Sequence, residues 1–155
     1  IIIGFMGSGK STISSLLDKD YVDMDALITE RIGMSIADFF EKEGEAKFRE
    51  IESQVLAELV NSEHVISTGG GVVINPINRD ILAKNGETIY LKADFDTLYD
   101  RIKNDTKNVR PLFINNSKEA FKAIFDGRRE MYESAANRII EVAGKTPEEI
   151  VEEIG

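Results

Sequence analysis

Ile1-Ile2-Ile3-Gly4-Phe5-Met6-Gly7-Ser8-Gly9-Lys10-Ser11-Thr12 runs from a β-branched segment through a glycine-rich turn into a helical pattern. Gly4 to Ser11 satisfies G-x-x-x-x-G-K-[ST] at every position, with a strand before it and a helix after it. Glycines at these positions let successive backbone N–H groups of Gly7, Ser8, Gly9, Lys10, Ser11 and Thr12 wrap phosphate oxygens at a helix N-terminus. The Lys10 ammonium can reach the terminal phosphates, and the Ser11 hydroxyl can ligate Mg²⁺. The competing reading is a glycine-rich turn with an accidental lysine, and the correct flanks on both sides argue against it. The motif says nucleotide, and it leaves open what is done with the nucleotide.

Outward from this loop, strand and helix alternate. Helical patterns cover Lys10 to Leu17, Asp25 to Ile32, a short helix opened by Ser35 and Asp38, and Phe48 to Leu59. Further helices are expected over Pro76 to Lys84, Phe95 to Ile102, Lys118 to Ala135 and after Thr146-Pro147. Short apolar strands are expected at Ile1–Ile3, Tyr21-Val22, His64 to Ser67, Thr88 to Leu91 and Arg138 to Val142. Five such strands between helices predict an α/β fold with a parallel sheet and helices on both faces, its ligand site in the loops after the strands.

The 155 residues are one domain's worth of chain, and we read 1–155 as a single domain. A net charge of -9 argues against a general nucleic-acid binder. No stretch approaches the ~18 apolar residues of a membrane span, and no charged-then-apolar signal pattern is seen. The absence of cysteine excludes disulfides, thiolate metal sites and cysteine nucleophiles. The expectation is a cytoplasmic monomer without nucleic-acid or membrane partners. The chain begins at Ile1, so a few residues are expected to precede it.

Four more segments carry chemistry. Asp23-Met24-Asp25 closes the second strand, and extended alternation would point both carboxylates the same way, one toward a metal and one toward a hydroxyl proton. The competing reading is a solvated turn with Asp25 capping a helix. Arg49 and Glu52 are three apart on a helix, so a guanidinium fixed by a carboxylate could grip a carboxylate ligand; an ordinary surface ion pair is the alternative. Gly69-Gly70-Gly71 is more glycine than a tight turn needs and leaves room for a small molecule. Arg110 beside Pro111, in a polar segment near 105–117, could close over a phosphoryl group, and Arg128, four residues before Tyr132, offers another cation.

The set resembles the shikimate kinase family of P-loop small-molecule kinases. The resemblance rests on Gly4 to Thr12, Asp23-Met24-Asp25, Gly33-Met34-Ser35-Ile36, Gly44-Glu45, Phe48-Arg49 with Glu52, Gly69-Gly70-Gly71, Arg110-Pro111-Leu112, and Arg128 with Tyr132 and Ala136. It implies transfer of the γ-phosphoryl of ATP to the 3-hydroxyl of shikimate, a strand order of 2-3-1-4-5 and a mobile lid. Residues 25–62 would be the substrate-binding helical region. Asp25 would contact the reacting hydroxyl, Arg49 and Arg128 would hold the substrate carboxylate, and Gly69 to Gly71 would pack on its ring. Ser11 and Asp23 would position Mg²⁺, Lys10 and Arg110 would stabilise transition-state charge, and Phe40 and Phe48 would wall the pocket. Lys103 and Lys145 are the candidates for adenine contacts. The link from Thr12 to Asp23 is about four residues shorter than the family pattern, so the first helix or its turn should be trimmed. Phe113 stands where the lid often has a leucine.

The rivals are a P-loop kinase for gluconate or a nucleoside monophosphate, a GTP-binding switch, and a nucleotide-binding protein without turnover. The switch requires a guanine-reading Asn-Lys-x-Asp segment, which Asn104-Asp105-Thr106-Lys107 does not supply.

Overall fold

The computed structural model describes residues 1–104 and 116–155. In chain order the elements are β1 (Ile2–Ile3), α1 (Lys10–Leu17), β2 (Val22–Asp23), α2 (Met24–Ile32), α3 (Ile36–Glu43), α4 (Glu45–Leu59), β3 (Ile66–Ser67), α5 (Pro76–Asn85), β4 (Ile89–Lys92), α6 (Phe95–Asn104), α7 (Lys118–Ala135), β5 (Arg138–Glu141) and α8 (Pro147–Ile154). The five strands form one parallel sheet in the order β2-β3-β1-β4-β5, as the resemblance implied.

Register places the site. Ser67 pairs with both Ile2 and Asp23, so β1, β2 and β3 finish side by side. The phosphate-loop motif, the Asp-x-Asp pair and the glycine triplet therefore leave the sheet at one edge. Three strands closer to the middle of the sheet supply Ile2, Ile3, Ile66, Tyr90 and Leu91, all buried on both sides, which is what a sheet covered by helices demands of its residues.

The helices begin where their local chemistry directs. Ser35, Asn75, Ser117 and Thr146 each accept a backbone N–H as N-cap, and Thr146 completes a reciprocal capping box with Glu149. Ser35 forms the forward bond to the Asp38 N–H. Helix α1 differs. Its N-cap is Gly9, in the left-handed region at φ 91°, with no side-chain cap, so its first turn keeps N–H groups for a ligand.

Three expectations are corrected. The second strand is Val22–Asp23, one residue later than expected, because Tyr21 N–H turns back to the Asp18 carbonyl while Val22 N–H joins the Val65 carbonyl. Asp25 is also not on extended chain. Asp23 accepts the Ala26 N–H and starts α2 at Met24, so Asp25 lies in a helical first turn. The third strand is also shorter than expected, at Ile66–Ser67. The short link after Thr12 closes through Asp18, the C-cap of α1. Its carboxylate accepts the N–H groups of Asp20 (2.9 Å) and Val65 (3.1 Å) and meets His64 Nδ1 at 3.0 Å.

Phe5, inside the phosphate-loop motif, is buried and meets Phe121 and Phe125 of α7 edge-on at 5.4 and 5.3 Å. Phe95 adds a third neighbour to that cluster, at 5.6 Å from Phe125. Aromatic pairs of this kind are each worth about 0.5–1.5 kcal/mol beyond burial, so α7 and the loop are held as one unit. No helix among the described residues is long and apolar enough to cross a membrane.

Candidate active site

The loop from Gly4 to Gly9 turns on Gly7 and Gly9, at φ 83° and 91°. Ser8 N–H bonds the Phe5 carbonyl and Lys10 Nζ donates to the carbonyls of Gly4 (2.7 Å) and Phe5 (3.1 Å). The lysine thus folds back over its own loop. Ser11 and Thr12 follow in the uncapped first turn of α1.

The glycine triplet is a second cradle, and its hydrogen bonding is one-sided. The Gly69 carbonyl accepts Val72 N–H, the Gly70 carbonyl accepts the Tyr132 hydroxyl, and the Gly71 carbonyl accepts Ile74 N–H. Asn78 holds the Val72 carbonyl, and Arg79 holds those of Val73 and Ile74. The N–H groups of Gly69, Gly70 and Gly71 have no acceptor among the described residues. Gly69 is buried and Gly70 and Gly71 are half-buried, so a ligand rich in acceptor oxygens could pair with these donors.

Each glycine also receives one functional side chain. A Cβ built on Gly69 would lie 2.5 Å from Asp25 Oδ1, and one on Gly71 would lie 2.5 Å from Arg49 Nη1. One on Gly70 would touch Arg128 Nη1 and the Tyr132 hydroxyl, each at 3.8 Å. Absence of a side chain at Gly69 and Gly71 is what lets the Asp25 carboxylate and the Arg49 guanidinium press against one backbone segment.

Arg49 is held from two sides. Its Nη1 donates to Glu52 (3.0 Å) and its Nη2 to Glu45 (3.2 Å), and its guanidinium carbon stands 5.2 and 5.8 Å from the Phe48 and Phe40 ring centres. Phe40 and Phe48 therefore flank the arginine itself. Glu52 is 1% exposed against 16% for Arg49, so this is no surface pair. Burial raises the Glu52 pKa despite the Arg49 charge beside it. Asp25 is likewise raised, first by burial and then by the Asp23 charge, with Lys10 and Arg49 opposing. Arg128 stands 5.9 Å over the Phe5 ring, joining α7's cation to the phosphate loop.

Five expected site elements thus converge: the Lys10 loop, Asp25, Arg49, the glycine triplet and Arg128. Asp23 sits beside them as the cap of α2. No group of three or more His, Asp or Glu gathers as a metal cage among the described residues. Arg110 lies outside the described residues, as do Pro111 and Phe113. Lys145 is engaged by Glu153 at 2.6 Å. Glu45 was missed as the second partner of Arg49, although its i,i+4 spacing signals it. Arg79, which secures two carbonyls behind the triplet, left no pattern to find.

Residues 6–155 match the sequence profile of the shikimate kinase family. The chain is 57% identical over 153 residues to a shikimate kinase of Streptococcus gordonii, covering 98% of this chain and 95% of that one. Its structure resembles that of a shikimate kinase from Acinetobacter baumannii in complex with shikimate, at a TM-score of 0.88 and 30% identity, over 99% of this chain and 88% of that one. It also resembles a shikimate kinase from Aquifex aeolicus, at a TM-score of 0.82 and 39% identity, over 99% and 91% of the two chains. With the glycine-rich Lys10 loop, the half-buried Arg49 and the Asp25 carboxylate all at one sheet edge, the chain belongs to the shikimate kinase family.

Proposed function

We propose that this site transfers the γ-phosphoryl of ATP to the 3-hydroxyl of shikimate, with its residues in the following roles. ATP-dependent phosphorylation of shikimate is the activity of this chain, given the family it belongs to. The observation that carries the assignment of roles is the packing of Asp25 and Arg49 on one glycine segment, within electrostatic reach of each other and of Lys10.

Arg49 and Arg128 bind the substrate carboxylate, and the unpaired glycine N–H groups donate to its oxygens. The loop from Gly7 to Thr12 binds the ATP phosphates at the start of α1. Asp25 takes the proton of the attacking hydroxyl; its raised pKa brings it nearer the working pH of a general base. A bond forms from that hydroxyl oxygen to the γ-phosphorus, the bond from the γ-phosphorus to its bridging oxygen breaks, and ADP leaves with the electron pair. Lys10 and Arg110 stabilise the charge spread over the phosphoryl oxygens. Ser11 and Asp23 would hold Mg²⁺ beside the phosphates, where it neutralises charge. That small donor set suits a cation that keeps waters and phosphate oxygens as its other ligands.

A coupled ADP-release assay with shikimate, gluconate and a nucleoside monophosphate tests this reading, with phosphorus NMR of the product. Shikimate alone should stimulate ATP consumption and yield the 3-phosphate. Equal stimulation by the monophosphate, or phosphate on another hydroxyl, overturns it.

A further inference from the structure

The middle carbonyl of the glycine triplet has an unusual partner. Its neighbours on either side bond to N–H groups three residues along the same turn, whereas Gly70 accepts a phenol from α7, 62 residues away. Tyr132 is fully buried, and its ring stacks on Tyr90 at 5.1 Å and 27°. That stacking fixes the ring, with its hydroxyl on the Gly70 carbonyl and beside the Arg128 guanidinium. Burial pushes the Tyr132 phenol above its ordinary pKa, with the Arg128 charge opposing. The hydroxyl is therefore a donor at every working pH.

A trans peptide is planar, so the carbonyl of Gly70 and the N–H of Gly71 point in opposite directions from one rigid plate. Fixing the carbonyl fixes the amide. Glycines on both sides of that plate offer the weakest resistance to its rotation of any residue pair. Rotated, the plate would turn a carbonyl oxygen toward an anionic ligand in place of a donor. Arg49 rests on the Gly71 end of the plate, and Arg128 and Met6 of the phosphate loop rest on Gly70.

We infer that Tyr132 is a positioning residue for the acid substrate: by holding the Gly70 carbonyl it locks the 70–71 peptide so that the Gly71 N–H is presented beside Arg49. Tyr132 does not touch the reacting atoms. It acts through the backbone, and its effect falls on shikimate and not on ATP. The inference rests on the proposed placement of shikimate against Arg49 and the triplet.

Tyr132→Phe removes the hydroxyl and keeps the ring on Tyr90. Leaving one buried acceptor unpaired and one amide unlocked should weaken shikimate roughly five- to a hundredfold, with ATP affinity within about twofold and a smaller change in kcat than in KM. Titration of each ligand by calorimetry reads the split. Unchanged shikimate affinity, or parallel losses for both ligands with a lowered melting temperature, overturns the inference by leaving Tyr132 a packing residue. Arg49→Ala, measured alongside, separates the two levels: if it too leaves shikimate affinity intact, the placement of shikimate has failed; if it alone loses shikimate, only the role of Tyr132 has failed. Should Tyr132→Phe not fold, wild-type protein labelled with ¹⁵N-glycine decides. Shikimate should shift the Gly71 amide resonance and slow its exchange with solvent, and an unmoved Gly71 amide overturns the inference.

Discussion

The two glycine loops of this molecule leave the sheet side by side and use glycine for opposite physical reasons. In the loop after β1, Gly7 and Gly9 stand at φ 83° and 91°, where a side chain is strained whatever the space around it. In the loop after β3, Gly69, Gly70 and Gly71 all have ordinary backbone angles, and Gly69 and Gly71 are required because Asp25 and Arg49 occupy the volume a Cβ would take. One loop needs glycine for its backbone shape and the other for close approach. The first leaves the N–H groups that open α1 without a side-chain cap, and the second lets a carboxylate and a guanidinium pack on one backbone segment. Strand order makes them one site, because β1 and β3 are paired neighbours.

The largest effect we expect lies on the phosphate side. Arg110→Ala should bind shikimate almost normally and lose turnover by about 10³-fold, as removal of a cationic stabiliser of phosphoryl transfer does. Arg110→Lys should rescue little, since an ammonium cannot span two phosphoryl oxygens. Steady-state kinetics with a thermal melt as folding control measures both. A folded Arg110→Ala enzyme within a few-fold of wild-type kcat would place that charge stabilisation on Lys10 and Mg²⁺ alone.

On the acid side, Arg49→Ala should weaken shikimate by roughly ten- to a hundredfold through the lost charge-assisted bonds, with ATP affinity retained. It also strands the buried Glu52 carboxylate, so the protein should melt lower. Adding Glu52→Gln should restore much of the melting temperature and none of the shikimate affinity. Recovery of both together would mean that Arg49 acts only as a structural partner.

Next comes the comparison of the loops themselves as fold elements. Gly7→Ala should cost about 1–2 kcal/mol in stability from the left-handed conformation, and its Cβ would also press on Ile102 at 3.0 Å. Gly69→Ala meets only the movable end of Asp25, so it should melt near wild type and lose kcat. Chemical denaturation of both variants decides, and an equal loss of stability would erase the distinction drawn between the loops.

The smallest expected effect is one of pH. Burial raises Asp25 above its ordinary 3.8 and Glu52 above 4.5. The folded state then holds these protons more tightly than the unfolded chain. The stability this contributes is complete below those ordinary values and lost as pH rises through the raised ones. Asp25→Asn should therefore melt modestly above wild type at neutral pH and converge with it near pH ~4, while losing activity. A variant less stable than wild type at neutral pH would show that Lys10 and Arg49 more than repay the burial of that carboxylate.

Much of this site could be read from the chain alone where chemistry is local. Gly4 to Ser11, the i,i+3 pair of Arg49 and Glu52, and the caps at Ser35 and Thr146 depend on near neighbours in sequence. The alternation expected to align Asp23 with Asp25 does not hold, because Asp23 accepts the Ala26 N–H as the cap of α2 and Asp25 is already in the helix. Tyr132 was visible only as part of a family pattern, since its partner lies 62 residues away across the sheet. The triplet's unpaired N–H groups were equally hidden, because they follow from a turn in which Gly69 and Gly71 use their carbonyls for Val72 and Ile74 while their own N–H groups face no backbone acceptor.

The central claim is that the two loops divide the substrates between them, and Gly71→Ala tests it most directly. The added methyl would lie 2.5 Å from Arg49 Nη1 on backbone that tolerates alanine, so it should displace the clamp while sparing the fold. Calorimetric titration of Gly71→Ala should find shikimate affinity reduced by an order of magnitude or more, about the value of one displaced charge-assisted contact, with ATP affinity as in wild type. Normal shikimate affinity in a folded Gly71→Ala protein, or an equal loss for ATP, would contradict it.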